Sequence, residues 1–139
     1  MGGINVRRWL LGGVVAAVVI WLLEGIASML YMADMQAALD AHGLKLEMSA
    51  SLWAMSVLVS LFVGLTLVFF YAAARPRLGA GPRTAAIVAV ALWLSSTVVA
   101  LVGYQMIGIY PSSTLVVWGV IGLVEMILAG LAGAWLYRE

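Results

Sequence analysis

Four long apolar runs separated by short polar breaks set the pattern of this chain. The first, Trp9 to about Ala33, is interrupted only by Glu24; the others run from about Ala50 to Ala74, Thr84 to Ile109 and Ser112 to Tyr137. At about 1.5 Å per residue, each is long enough to cross a hydrocarbon core of roughly 30 Å. The pattern predicts an all-α, polytopic membrane protein. Residues 1–139 form one domain of four transmembrane helices in an antiparallel bundle, with spans at about 9–33, 50–74, 84–109 and 112–137.

The breaks differ in kind. Arg75 to Arg83 carries two prolines and two glycines and reads as a hairpin turn that no helix passes through. Tyr110-Pro111-Ser112 is a second tight turn, with Pro111 near a helix start. Asp34 to Ser49 is the one long polar connection. Its Leu39, Leu44, Leu46 and Met48 make it partly amphipathic, which predicts a short helix on the membrane surface, broken near Gly43. Met1 to Arg8 is a polar lead. Together with the run that follows, it resembles a signal peptide or twin-arginine leader, but Glu24 interrupts the apolar stretch and the expectation is an uncleaved first span.

Composition agrees with the pattern. The chain is 65% hydrophobic and 9% charged, against about 45–50% and about 25% in soluble domains. A net charge of +1 gives no case for nucleic acid as a partner, and the absence of cysteine excludes disulfides, thiolate catalysis and cysteine metal sites.

The charges that remain are informative by position. In a four-span arrangement Arg7, Arg8, Arg75, Arg77, Arg83 and Arg138 fall on one side and Lys45 alone on the other. Short basic loops stay cytoplasmic, so Arg75, Arg77 and Arg83 form a topology-determining turn. Both termini are expected in the cytoplasm of a bacterial inner (cytoplasmic) membrane. Trp9, Tyr71, Trp135 and Tyr137 then belong to the inner aromatic belt, and Tyr31, Trp53, Tyr104 and Tyr110 to the outer.

Small residues recur at helical spacing: Gly12 and Ala16, Gly13 and Ala17, then Ser56, Ser60 and Gly64, and Ala129 with Gly133. Such stripes let backbones approach where lipid offers no hydrophobic drive for association. They serve packing within one bundle or self-association, and the lipid bilayer, a homo-oligomer or a larger membrane complex are the expected partners.

The chemistry lies in two acids. Glu24 and Glu125 are the ionisable side chains well inside the apolar runs, both near the middle of their spans, and such groups normally face the protein interior. Ser60, Ser95, Ser96 and Thr97 come to similar depth, so Glu24, Glu125, Ser60, Ser96 and Thr97 are the candidates for one intramembrane polar layer holding a proton or cation. No Lys, Arg or His lies within the runs to neutralise either acid, so at least one is expected to be neutral at pH 7. A neutral acid bonded to a hydroxyl or a backbone carbonyl is the structural alternative. His42 stands in the polar connection near Asp34, Asp40 and Glu47 without metal-ligand spacing. Trp21, Trp93 and Trp118 lie within spans as packing or lipid contacts. No cofactor is signalled, and no nucleotide loop, catalytic triad or metalloprotease helix appears, which argues against an enzyme.

Two stretches carry a resemblance. Tyr71 through Arg75-Pro76-Arg77-Leu78-Gly79-Ala80-Gly81-Pro82-Arg83 to Ala85, and Trp118 through Val124-Glu125 to Glu139, resemble an uncharacterised family of small four-helix bacterial integral membrane proteins. Its members often carry an acidic residue late in the first helix, as Glu24 does here. The chain departs from the resemblance at Trp21 and Leu22, where an Asn near Glu24 would be expected. Two functions follow from these observations: a non-catalytic, accessory or self-associating membrane subunit, or a small proton- or cation-conducting transporter or channel built on Glu24 and Glu125.

Overall fold

The computed structural model describes residues 3–137, and Arg138 lies outside them. Four helices are long and apolar enough to cross a membrane: α1 (Val6–Ala41), α2 (Ala50–Leu78), α3 (Pro82–Ile107) and α4 (Ser112–Leu136). They pack against one another as an all-helical, antiparallel bundle.

Each end has a local cause. The Asn5 side chain accepts from Arg8 N and caps α1, and Ser49 caps α2 in the same way through Leu52 N. α1 does not stop at Asp34, where a separate surface helix was expected. It continues through Met35, Gln36 and Leu39 and ends at His42, because this stretch holds good helix formers until Gly43, at φ 70°, turns the chain. The turn after α2 is also shorter than the sequence predicts. The helix runs through Arg75, Pro76 and Arg77 to Leu78, and the reversal takes only Gly79 to Gly81. Both glycines adopt positive φ, 84° and 129°, and Pro82 starts α3 at a position where its missing N–H costs nothing. The Thr84 hydroxyl, buried behind the turn, lies 3.2 Å from Leu78 O and 2.8 Å from Gly79 O, and the Tyr71 hydroxyl accepts from Gly81 N. So the three arginines flank the turn on helix ends.

The bundle is tight at this arginine-rich end. Gly12, Gly13, Gly64 and Gly133 sit where α1, α2 and α4 touch backbone to backbone: a Cβ on Gly12 would lie 2.7 Å from Gly133 O, and one on Gly64 would collide with Gly13 O and Ala17 N. Around this contact lie Ala16, Leu67, Val68, Ala72, Ala85, Ala89 and Ala129, all buried.

Towards the opposite end the arrangement opens. α2 and α3 touch only from the turn to about Leu92; beyond it α3 leans on α4 alone, and α1 keeps both α2 and α4. At Trp93–Val98 α3 relaxes into a π-helical segment. The Ser95 and Ser96 hydroxyls bond back to the Ala91 and Leu92 carbonyls there, at 2.9 and 2.6 Å, which competes with the helix's own ladder.

Candidate functional site

The two acids meet. α1 and α4 run antiparallel with a steady register: Ala16 faces Gly133, Glu24 faces Glu125, and Tyr31 faces Trp118, so a step of eight and then seven residues along α1 is matched on α4. The side chains of Glu24 and Glu125 are neighbours across the α1–α4 seam. Two carboxylates have only acceptors, so neighbours of this kind share a hydrogen bond when one carries a proton, or share a cation when neither does. The Tyr31 hydroxyl donates to Glu24 Oε1.

The members of the pair differ in surroundings. Glu125 is 8% exposed, and its Oε1 is buried with no hydrogen-bond partner. A buried polar atom in this state normally has a ligand, a water or a proton to satisfy it. Glu24 is exposed on the bundle surface. The pair therefore runs from the open side of the molecule to its interior.

Aromatic rings continue from the acids toward the open end. Tyr31 packs edge-on against Trp118 at 5.4 Å, and Trp118 against Tyr110 at 4.8 Å and Tyr104 at 6.3 Å. Trp118 Nε1 is buried without a partner. The Tyr110 hydroxyl, in the turn before α4, has its pKa raised by burial and by the neighbouring Tyr104. On the other side of Glu24, Trp21 donates to Ser56 at 3.1 Å and stacks edge-on with Trp53.

The other candidates lie apart from the acids to different degrees. Ser60 is buried. Its place between the Gly64–Ala17 and Ser56–Trp21 contacts puts it in the α1–α2 seam, roughly 6–10 Å along the axis from Glu24. Ser96 is exposed and bonded to its own helix. Thr97 turns its methyl toward Gly122, one turn from Glu125 on α4. Arg75, Arg77 and Arg83 stand at the far end. Among the described residues no cluster of three or more His, Asp or Glu could hold a metal.

Sequence reasoning placed Tyr31 in an aromatic belt and Trp118 among packing residues. The signal that links them to the acids is spacing: Tyr31 follows Glu24 by seven residues and Trp118 precedes Glu125 by seven, so each pair lies on one helix face. Comparison with family models, curated proteins and solved structures finds no match for this chain.

Proposed function

We propose that the protein is a small, non-enzymatic membrane bundle that binds and passes a proton or a small monovalent cation at Glu24 and Glu125. The observation that carries this reading is the meeting of two carboxyl groups from the first and last spans, with one oxygen of the buried acid unsatisfied. A carboxyl pair deep in an apolar bundle is costly unless a proton or cation sits on it, and intramembrane acids commonly mark such pathways. Two carboxyls and a phenol fall short of the six to eight oxygens that calcium takes, which favours a proton or a monovalent ion.

This reading makes access one-sided. α2 and α3 separate beyond the depth of Leu92 and leave the acids near the open end, whereas Gly12, Gly13, Gly64 and Gly133 close the other. Passage then requires the glycine contact to loosen in turn, as alternating access does elsewhere. The arginine count supports a cytoplasmic location for the closed end and a bacterial inner membrane for the protein.

The test is flux into liposomes containing the purified protein, driven by a pH or sodium gradient and read with an internal dye. Wild-type protein should dissipate one of the gradients, and Glu24→Gln and Glu125→Gln should each abolish that activity. Equal rates in wild type, variants and empty liposomes would contradict it.

A second reading, an accessory subunit or self-associating bundle, is favoured by the exposure of Glu24 at mid-span. Lipid solvates a carboxyl poorly, so a neighbouring helix that covers it would relieve the cost. Native mass spectrometry of protein gently extracted with its lipids distinguishes the cases: a larger heteromeric complex supports the subunit, a homo-oligomer the self-associating bundle, and a lone chain the self-contained conductor.

A further inference from the structure

Soft donor atoms gather at the open end. Of the eight methionines, Met29, Met32, Met35, Met48, Met55 and Met106 all belong to it. Three of them, in Met29-Leu30-Tyr31-Met32-Ala33-Asp34-Met35, recur at every third position. The spacing would mean little if a helix ended at Asp34. Because α1 continues to Ala41, all three stand on one unbroken helix.

Three residues of an α-helix fall about 60° short of a full turn, so Met29, Met32 and Met35 trace a shallow spiral along one side of α1. Neighbouring Cβ atoms in such a row are about 5–6 Å apart. Each sulfur sits on a flexible, unbranched arm, which lets the outer two reach an ion held beside Met32. Core packing does not account for the row: Met29 is 83% exposed, Met32 and Met35 are half-buried, and the exposed Asp34 and Gln36 share the stretch. The three lie about 8 to 16 Å beyond Glu24 along the axis, where a core of roughly 30 Å centred near the acids gives way to headgroups. The donor type then decides the ion. Among the described residues no cluster of three His, Asp or Glu offers a harder site, and the chain has no cysteine to supply thiolate. Thioether sulfur is neutral and polarisable, and it selects Cu(I) over zinc, magnesium or calcium.

We propose that Met29, Met32 and Met35 form an all-thioether site for a soft monovalent metal ion, Cu(I) or its redox-inert analogue Ag(I), on the open end of α1. The site is separate from the carboxyl pair, whose oxygen donors suit harder ions, and does not depend on what the pair does. His42 is the competing donor: it follows Met35 by seven residues, with its Nδ1 2.8 Å from Ala38 O.

The test uses the full chain in phosphatidylcholine nanodiscs, titrated with Ag(I) by calorimetry and with Cu(I), kept reduced by ascorbate, in competition with a chromophoric chelator. The wild type should take up one ion per chain. Met32→Leu should weaken binding by about tenfold or more, and the combined Met29→Leu, Met32→Leu and Met35→Leu variant should not bind. Leucine nearly conserves the volume of methionine, so the metal-free thermal midpoint should stay unchanged and lost binding is not mistaken for lost fold. Met55→Leu, Met106→Leu and His42→Ala should bind as the wild type does, and X-ray absorption of the loaded protein should show sulfur neighbours alone. No uptake by the wild type, equal uptake by the triple variant, a loss with Met55→Leu or Met106→Leu as large as with Met32→Leu, or a nitrogen neighbour that disappears with His42→Ala would overturn the proposal.

Discussion

The two halves of this bundle use their small residues differently. At the arginine-rich end glycines are occupied: Gly12, Gly13, Gly64 and Gly133 each admit a neighbouring backbone or side chain into the space a Cβ would fill. At the opposite end Gly25 of α1 and Gly103 of α3 face open space. The same residue type thus joins backbones in one half, and in the other meets side chains or open space: a Cβ on Gly119 or Gly122 would lie 3.2 Å from Leu101 Cδ1 or 3.3 Å from Thr97 Cγ2. Hydrogen bonds tie the helices in both halves. In the closed half Trp9 Nε1 donates to Leu65 O of another helix at 2.8 Å, and the Tyr137 hydroxyl accepts from Asn5 N at 2.9 Å. In the open half the Ser28, Ser95 and Ser96 hydroxyls bond their own helices, and the cross-helix bonds run from Trp21 to Ser56 at 3.1 Å and from Trp93 to Gly119 O at 2.9 Å. The carboxyl pair sits near the boundary between the two halves.

Substitutions break this contrast in order of size. Gly64→Leu should cause the largest loss, at least about 3 kcal/mol, because its Cβ meets backbone atoms that cannot step aside; thermal unfolding in detergent should find no cooperative transition or a much lower midpoint. Thr84→Val should cost about 1–2 kcal/mol, since the buried hydroxyl serves the Leu78 and Gly79 carbonyls that close the turn. Tyr31→Phe should cost about 1 kcal/mol or less and leave the fold intact, because only the donor to Glu24 is lost; its sharper readout is a change in gradient dissipation without a change in midpoint. Gly25→Ala should be neutral or stabilising by about 0.5–1 kcal/mol, since the added methyl meets nothing and the helix loses a flexible residue. If Gly64→Ala and Gly25→Ala shifted the midpoint alike, the division into closed and open halves would be wrong.

Hydropathy alone made the four spans legible, because each is long, apolar and flanked by breaks. It misjudged their ends for physical reasons. Pro76 did not end α2, since a proline near a helix C-terminus forfeits one hydrogen bond and neighbouring groups close the turn regardless. Asp34 did not end α1, since charge does not break a helix of otherwise good formers. The depth of Glu24 and Glu125 could be read from position along their spans, but their meeting depends on how α1 and α4 align and rotate, which small residues such as Gly12 and Gly133 decide in three dimensions. Similar depth did not gather the hydroxyls into one layer: Ser60 follows the α1–α2 seam, and Ser96 faces outward from a π-helical turn that no periodicity in the sequence announces.

The account rests on Glu24 and Glu125 behaving as one proton-sharing unit, and infrared difference spectroscopy of the carboxyl region tests that most directly. In membranes at neutral pH the wild type should give a protonated-carboxyl band, and Glu24→Gln and Glu125→Gln should each shift or remove it, because either change takes away half of the shared hydrogen bond. Two independent carboxylate signals, with the Glu125 signal untouched by Glu24→Gln, would contradict the account.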